Sequence, residues 1–413
     1  MRSSRVLAAI CLLGFGAVGF AQPTSGPWPG ISGIRATADD AMTVSSNAAA
    51  MVNLTRAELL GRFFITDSDS TWDSELTGLG ERESDDDSGN LYIPSLFFAR
   101  PVHDRWWVGA SLVVPAGFGD DFPDDSPGRY LVDEWSLVYI ALSTSAAYQV
   151  NDHWSLGLGV SASASIYSLD SAVFNPGAPD GKMELDAHDI VVSWSASMLY
   201  RAGPNTRVGL SYRSEVESEL KDNPSFSNLS AAAEARLDMA GLLDSDITVE
   251  SRLPAMAGVG VFHRFPSGTA LSFDALYLDF SRFKLSEIAI LDAQLIDRGA
   301  DYDDIVAVSI GANHPIGRRW RVGASVGYLP SPVTDSERTL AFRIDDTWIY
   351  GTGFDYDFGG NKKVGLNVSY MDLGDGKIES RSLPFIGVYR GEYDHRRVVL
   401  FDLRFNWRFG RNR

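Results

Sequence analysis

The feature that most constrains this chain is a period-two alternation sustained over unusually long stretches. In the segment 153–168, Trp154, Leu156, Leu158, Val160, Ala162, Ala164 and Ile166 alternate with Ser155, Gly157, Gly159, Ser161, Ser163 and Ser165. Period two is the spacing of a β-strand, whose successive side chains point to opposite faces. Here one face is apolar throughout and the other is small and polar. The pattern recurs at Trp106–Val114, Ile190–Tyr200, Trp320–Tyr328 and Val399–Phe409. An apolar face of this length needs either a partner sheet or lipid to cover it.

Placing each alternating run gives about fourteen strands, at 55–66, 90–101, 105–115, 134–149, 153–168, 186–201, 206–220, 248–265, 269–281, 302–314, 319–330, 344–358, 363–375 and 394–409. Short turns ("PVHDR", "VNDH", "AGPNT", "FPSG", "PIGRR", "GGNK") alternate with long connections at 67–89, 116–133, 169–185, 221–247, 282–301, 331–343 and 376–393. An up-and-down barrel puts all short turns at one end and all long loops at the other. Outer-membrane barrels do so, with the short turns periplasmic. Trp106, Trp135, Trp154, Trp320, Trp348, Trp407, Tyr139, Tyr200 and Tyr328 lie near strand ends, where aromatic girdles are expected. A closed barrel also pairs every backbone group that lipid cannot. The competing fold is a secreted soluble β-solenoid or sandwich, which also alternates but needs a second sheet to bury the apolar side.

The first residues agree with export. Arg2 and Arg5 precede an apolar run from Val6 to Phe20, and Gly19 and Ala21 stand at −3 and −1 of a cleavage site. Residues 1–21 are therefore expected to be a signal peptide. Cys11, the sole cysteine, lies inside it, so the mature chain would use no disulfides. After Phe20 no run approaches the ~18 apolar residues of a spanning helix. The formal charge of −18 argues against nucleic acid as a partner. Residues 22–54 do not alternate. Their apolar content (Ile31, Ile34, Met42, Val44, Met51, Val52, Leu54) favours a plug folded into the lumen over a disordered periplasmic tail.

Several of these stretches resemble the long-chain fatty acid transporter family of Gram-negative outer membranes, the FadL/OmpP1/TodX group. "ATADDAMTVSSNAAAMVNL" is similar to the family's N-terminal signature, with Asp40, Ala41, Thr43, Asn47, Ala49 and Met51 matching. "HDRWWVGASLVVPAGFG" resembles its third strand, and "VGLSYRSEVESELKD", "LPAMAGVGV", "ALYLDFSRF" and "VGASVGYLPSPV" resemble later ones. Two departures stand out. Ala48 replaces the proline of the family's Asn-Pro-Ala, and Phe409 lies four residues short of the terminus, where such barrels usually end on an aromatic recognised by the barrel-assembly machinery.

The resemblance implies an all-β, 14-stranded antiparallel transmembrane β-barrel of the outer membrane with a small N-terminal plug, or hatch. The expected division is a signal peptide at 1–21, a plug at 22–54, a barrel at 55–409 and a periplasmic overhang at 410–413. It also implies a porin-like channel for passive uptake of hydrophobic molecules, foremost long-chain fatty acids. Ligand docks among outer loops, binds in the lumen and leaves sideways near the third strand. Plug and gate would then involve Asn47, Ala48, Met51, Pro115 and Gly117. Uptake of aromatic or alkane hydrocarbons is an alternative, and a non-transporting adhesin or phage receptor is another.

A fatty acid carboxylate in the lumen needs a cation. By parity with their lipid-facing neighbours, Arg213, Arg321, Arg404 and Arg408 face inward. A guanidinium can clasp a carboxylate with two hydrogen bonds. Each could instead pair with lumen or plug acids such as Asp402, Asp274 and Asp39. If Arg404 held the ligand, Arg404→Ala would weaken fatty acid uptake and spare a neutral hydrocarbon. In the loop 221–247, Ser230 is a candidate helix N-cap, and Leu229, Ala233, Leu237, Ala240 and Leu243 follow helical spacing. With Met239, and with Phe174 from the loop 169–185, this stripe either packs on a neighbouring loop or offers an outer hydrophobic docking groove.

Asp85–Asp87 and Asp120, Asp121, Asp124 and Asp125 form acidic clusters that could hold calcium or simply be solvated beside lipopolysaccharide. They lack EF-hand spacing, and no resident metal or cofactor is expected. "GASVG" (Gly323–Gly327) fits G-x-S-x-G, and "GLGVSA" (Gly157–Ala162) fits a dinucleotide fingerprint. Both motifs need a strand–turn–helix setting, whereas both lie within uninterrupted alternation. The chain is therefore read as a non-enzyme, and as a monomer.

Overall fold

A computed structural model describes residues 35–410 except 38, 122–125, 132, 176–177, 286, 292–293, 299–300, 339–344 and 384–386. The expected leader, the first part of the segment 22–54 and residues 411–413 fall outside it, as do the side chains of Asp85–Asp87, Asp120, Asp121, Asp124 and Asp125. The wall is built from β1 (Ala57–Leu76), β2 (Glu81–His103), β3 (Trp106–Asp121), β4 (Glu134–Gln149), β5 (Trp154–Val173), β6 (Gly181–Arg201) and β7 (Thr206–Arg213). It continues through β8 (Met256–Arg264), β9 (Ala270–Leu278), β10 (Ile305–Ile316), β11 (Trp320–Leu329), β12 (Thr347–Gly359), β13 (Lys362–Asp372) and β14 (Gly387–Phe409). Each strand pairs antiparallel with the next, and β14 pairs back onto β1 from Ala57–Phe409 to Leu76–Tyr389. The result is a closed fourteen-stranded barrel.

The alternation has the expected orientation. On β5 and β6 the apolar side chains Leu156, Leu158, Val160, Ile190, Val192 and Trp194 face outward, while Ser155, Ser163, Ser165 and Ser193 are buried inward. An apolar exterior around a polar, hydrogen-bonded interior is the arrangement lipid requires. At the short-turn end, rings meet across strands in tilted pairs: Trp106 with Tyr148 at 4.8 Å, Trp154 with Tyr200 at 4.4 Å and Trp320 with Tyr356 at 4.6 Å between centroids. Two of the aromatics expected in the girdle belong elsewhere. Trp135 and Tyr139 are buried inside the barrel, in the apolar cluster that fills its outer end.

Some expected strands are longer than their apolar alternation, and two are interrupted. The connection expected at 67–89 is mostly strand: β1 runs to Leu76 and β2 starts at Glu81, with a register that continues past Asp67–Asn90. Above the membrane the outward face meets water instead of lipid while the inner face, with Trp72 and Leu76, stays buried, so the ladder goes on while the outward apolar signal fades. The expected strands 206–220 and 248–265 each break. Their outer halves, Val216–Asp222 and Ile247–Leu253, leave the wall and pair with each other and with Lys284–Leu285 in a separate small sheet. Pro254 stands at one break, where its missing N–H ends the ladder.

This folded-in hairpin fills the outer lumen. Tyr139 donates to Ser251 Oγ at 2.8 Å, and Ser165 to Ser218 Oγ at 2.9 Å, both from the inner face of the wall. Leu220, Val249 and Leu253 join Trp135, Tyr139, Tyr167, Leu169 and Phe280 in one buried cluster.

Candidate functional site

The described residues of 35–54 lie against the inner face of the wall, from β1 to β9. They hold a short helix, Thr43–Ser46, and a 3-10 helix, Ala48–Asn53. The wall receives them with hydrogen bonds: Ser145 donates to Val44 O at 2.9 Å, Trp107 Nε1 to Leu54 O at 2.9 Å and Arg207 to Thr37 O at 2.6 Å. In the other direction, the Ala49 N–H donates to Ser197 Oγ at 3.0 Å and the Ala41 N–H to Glu58 Oε1 at 2.9 Å.

Asn47 is buried and donates to Arg35 O at 2.6 Å, tying the segment to itself. Met51 is fully buried, in a cluster with Val44, Phe97 and Trp107. Ala48 occupies the first position of the 3-10 helix. An N–H at that position has no partner within the helix, so alanine and proline are both accommodated there.

The lumen glycines make room for this segment. A Cβ on Gly157 would meet Ala49 N at 2.3 Å, and one on Gly109 would meet Val44 Cγ2 at 2.3 Å. The small face of "HWSLGLGVSASASIYS" is thus a docking face, and Gly157–Ala162 and Gly323–Gly327 both lie within strands rather than phosphate or nucleophile turns.

Beside the segment lies a cavity of about 210 Å³. Its apolar lining includes Met42, Phe97, Met256, Leu276, Leu278 and Met371, and its cations are Arg35, Arg62 and Arg213. Arg62 is neutralised by Asp402, at 2.9 Å and 3.2 Å through two nitrogens. Arg35 lies 3.5 Å from Asp274. Arg213 donates to Ser45 O at 3.1 Å and has no carboxylate ion pair among the described residues. A guanidinium facing an apolar cavity without an acid partner can accept a ligand anion.

The other three arginines singled out in the sequence lie apart from this cavity. Arg321, Arg404 and Arg408 line a smaller hollow with Asp39, Asp40 and Asp355. Arg404 pairs with Asp355 at 3.1 Å and Asp402 at 3.7 Å, and Arg408 with Glu58 at 2.6 Å. Asn406 also donates to Glu58, at 2.7 Å. Asp40, on the inner segment, is buried among these charges. Burial and the nearby Glu58 push its carboxyl up to about 7, against the pull of Arg404.

Pro115 lines both the central cavity and a second hollow. It lies in a bulge of β3 between Val113 and Ala116, beyond which Gly117 pairs with Val138 of β4. On its other side β3 pairs with β2 from His103–Trp106 to Leu96–Leu112 and no further among the described residues. The wall therefore parts between β2 and β3 at Pro115. The second hollow runs from Val113, Pro115 and Ala116 across Ser143, Ser145, Ser161, Ser163, Ser193 and Ser195 to Arg213 and Ser214.

The outer loop helix forms at Ala231–Met239, with Ser230 Oγ accepting from the Ala233 N–H at 3.2 Å as its cap. Leu237 is buried, and Leu229, Leu243 and Phe174 pack on the same outer cluster. Phe174 meets Tyr130 edge-on at 6.0 Å. Most of the expected docking stripe is thus spent on neighbouring loops, and Met239 stands out, 80% exposed.

Sequence reading missed Arg35, Arg62 and Glu58, and named Asp274 as a lumen acid without its partner Arg35. The first lies outside any alternation. A signal for it was present in Gly209, Gly258 and Gly260, adjoining lumen positions that lack side chains where Arg35 docks.

Comparison with known proteins gives a consistent picture. The family model described as outer membrane protein transport protein (OMPP1/FadL/TodX) matches residues 17–409. A long-chain fatty acid transport protein of Salmonella typhi is 25% identical over 408 residues, covering 94% of this chain and 92% of its own. The crystal structure of a Pseudomonas aeruginosa FadL homologue superposes with a TM-score of 0.83 at 17% identity, covering 95% of this chain and 100% of the other. The Pseudomonas putida toluene transporter TodX gives 0.61 at 14% identity, covering 97% and 100%.

Proposed function

Because the chain belongs to the outer membrane protein transport family (OMPP1/FadL/TodX), and is a channel for hydrophobic substrates rather than an enzyme, we propose that its cargo is long-chain fatty acids and that Arg213 receives the carboxylate. The carrying observation is Arg213, with no acid partner among the described residues, at a largely apolar cavity whose other two arginines, Arg35 and Arg62, face Asp274 and Asp402. Such a ligand would lay its chain against Met42, Phe97, Met256 and Leu278 and its head group at the guanidinium.

In this reading residues 22–54 are a plug. Its Asn47–Met51 turn blocks the straight path, so cargo leaves sideways past Pro115, through the gap between β2 and β3. Docking begins outside, around Met239 and the loop helix. Residues 410–413 trail into the periplasm, and the protein works as a monomer among lipopolysaccharide after insertion by the barrel-assembly machinery.

Aromatic hydrocarbons are the competing cargo, and a surface protein that transports nothing is the other reading. Labelled oleate and labelled toluene, fed to a deletion strain carrying the gene or an empty vector, separate the three. Gene-dependent oleate entry is expected. Toluene entry without oleate entry would reassign the cargo, and neither would end the channel reading for this chain.

A further inference from the structure

The wall has a second interruption, between β6 and β7. These strands pair from Arg201–Arg207 to Ser195–Arg213, and the chain after β7 rejoins β6 only at Glu184–Ser225. In between, β6 residues 185–194 face the segment 214–224, which has moved inward. No regular ladder joins them among the described residues. Three bonds span the seam: Trp194 N–H to Ser214 Oγ at 3.1 Å, Ser214 N–H to Trp194 O at 2.9 Å and Glu219 N–H to Asp189 Oδ2 at 3.1 Å. Two of these pass through side chains. The displaced segment instead bonds to the inner face of β5, through Ser165 and Ser218.

Two further observations place this seam in the membrane and at the cavity. Ile190 and Val192, on its β6 side, are 71% and 69% exposed, more open than any other apolar side chain of the described wall. With ~3.3 Å rise per residue and a ~40° tilt, the seam begins roughly 13 Å above the Tyr200 ring and reaches Ile190 at roughly 25 Å, the outer part of the apolar band. On the inside, the serine-lined hollow is bounded by Ser193 and Ser195 of β6 and by Ser214 and Val216 of the displaced segment. Both margins of the seam therefore line the hollow whose far end is the Pro115 bulge.

We propose that the seam between β6 and residues 214–224 is a second lateral portal, through which an apolar molecule in the serine-lined hollow exchanges with the outer half of the membrane. A closed ladder would bar such passage. A seam held by side chains can part without unmaking a sheet, and an amphipathic molecule can keep its polar end at the serines while its tail leaves past Val192. The portal rests on the channel reading above, and its test is separable from it.

The pair Asp189→Cys and Glu219→Cys, in a chain whose sole native cysteine is Cys11, staples the seam on oxidation. Oxidised protein in liposomes is expected to lose at least about twofold in oleate uptake, to recover it on reduction and to keep oleate binding throughout. Val216→Trp, which fills the seam from the lumen side without cysteines, should lower uptake in the same way. Uptake unchanged by the closed disulfide and by Val216→Trp overturns the portal and leaves the channel standing. Loss of binding as well as uptake also overturns it, because the substitutions would then act on the cavity. Wild-type protein that moves no oleate would sink the channel reading, and the portal with it.

Discussion

The carbonyl oxygen of Arg35 lies 1.8 Å from the point that a Cβ on Gly209 would occupy. Gly258 would meet Arg35 Nε at 2.0 Å in the same way, so β7 and β8 present bare backbone where the inner segment docks. Gly209→Val is therefore expected to undock residues 35–54 and leave the barrel intact, since the displaced atoms belong to the segment. Overpacking of this kind costs about 1–3 kcal/mol. Faster hydrogen exchange over 35–54, with unchanged exchange in β1–β6, is the expected result. Uniform protection would show that the segment accommodates the new side chain.

Arg213 and Arg404 should respond differently to removal. Arg213→Met takes away a cation with no acid partner among the described residues, so oleate binding should weaken roughly 10- to 100-fold, the ~1.5–3 kcal/mol of a charged hydrogen bond. Toluene uptake should be unaffected. Arg404→Ala strands Asp355, while Asp402 keeps Arg62, and should destabilise the protein by about 3–5 kcal/mol, lowering uptake of both compounds together. Calorimetry and paired uptake assays separate the two, and equal loss of both compounds in Arg213→Met would contradict the head-group role.

Deleting Pro115 tests the first portal. The bulge places three steps of β3, Val113 to Ala116, opposite two of β4, Ala141 to Tyr139. Removing one residue regularises the ladder and lets β3 continue alongside β2. Oleate binding should persist while uptake falls by about tenfold. Undiminished uptake would locate the exit elsewhere.

The position of Asp40 predicts a pH dependence. Docking raises its carboxyl from 3.8 to about 7, so the docked segment binds a proton more tightly than the free one. Its contribution to docking is complete below the ordinary aspartate range and is lost as pH rises through about 7. Proteolysis at Arg56 should accelerate between pH 5 and pH 8, on the order of the titration window, and Asp40→Asn should flatten that profile. A profile identical in both proteins would assign the effect to another group.

Much of the fold was legible because lipid enforces a simple rule on each strand. β4 coincides with its expected span of 134–149, where Leu142 and its outward neighbours meet the membrane. The rule fails where lipid is absent. Trp135 and Tyr139 lie on an inward face packed by the hairpin, and aromatic character cannot tell that face from a girdle. Ser214 and Pro254 interrupt strands whose alternation continues, because the separate sheet has its own buried side. The arginines were all correctly read as inward. Which of them is free of acids depended on Asp355, Asp402 and Glu58, brought close by pairing across neighbouring strands rather than by proximity in sequence.

The strands themselves are uneven in height: β1–β6 run from 16 to 23 residues, while β7, β8 and β9 have 8 or 9. A spanning strand needs about 9–11 residues, so the low side barely crosses the hydrocarbon. Lipids there must shorten or tilt their chains to meet it, making a thinned meniscus along β7–β9. That thinned patch begins at the β6 edge, beside the proposed second portal.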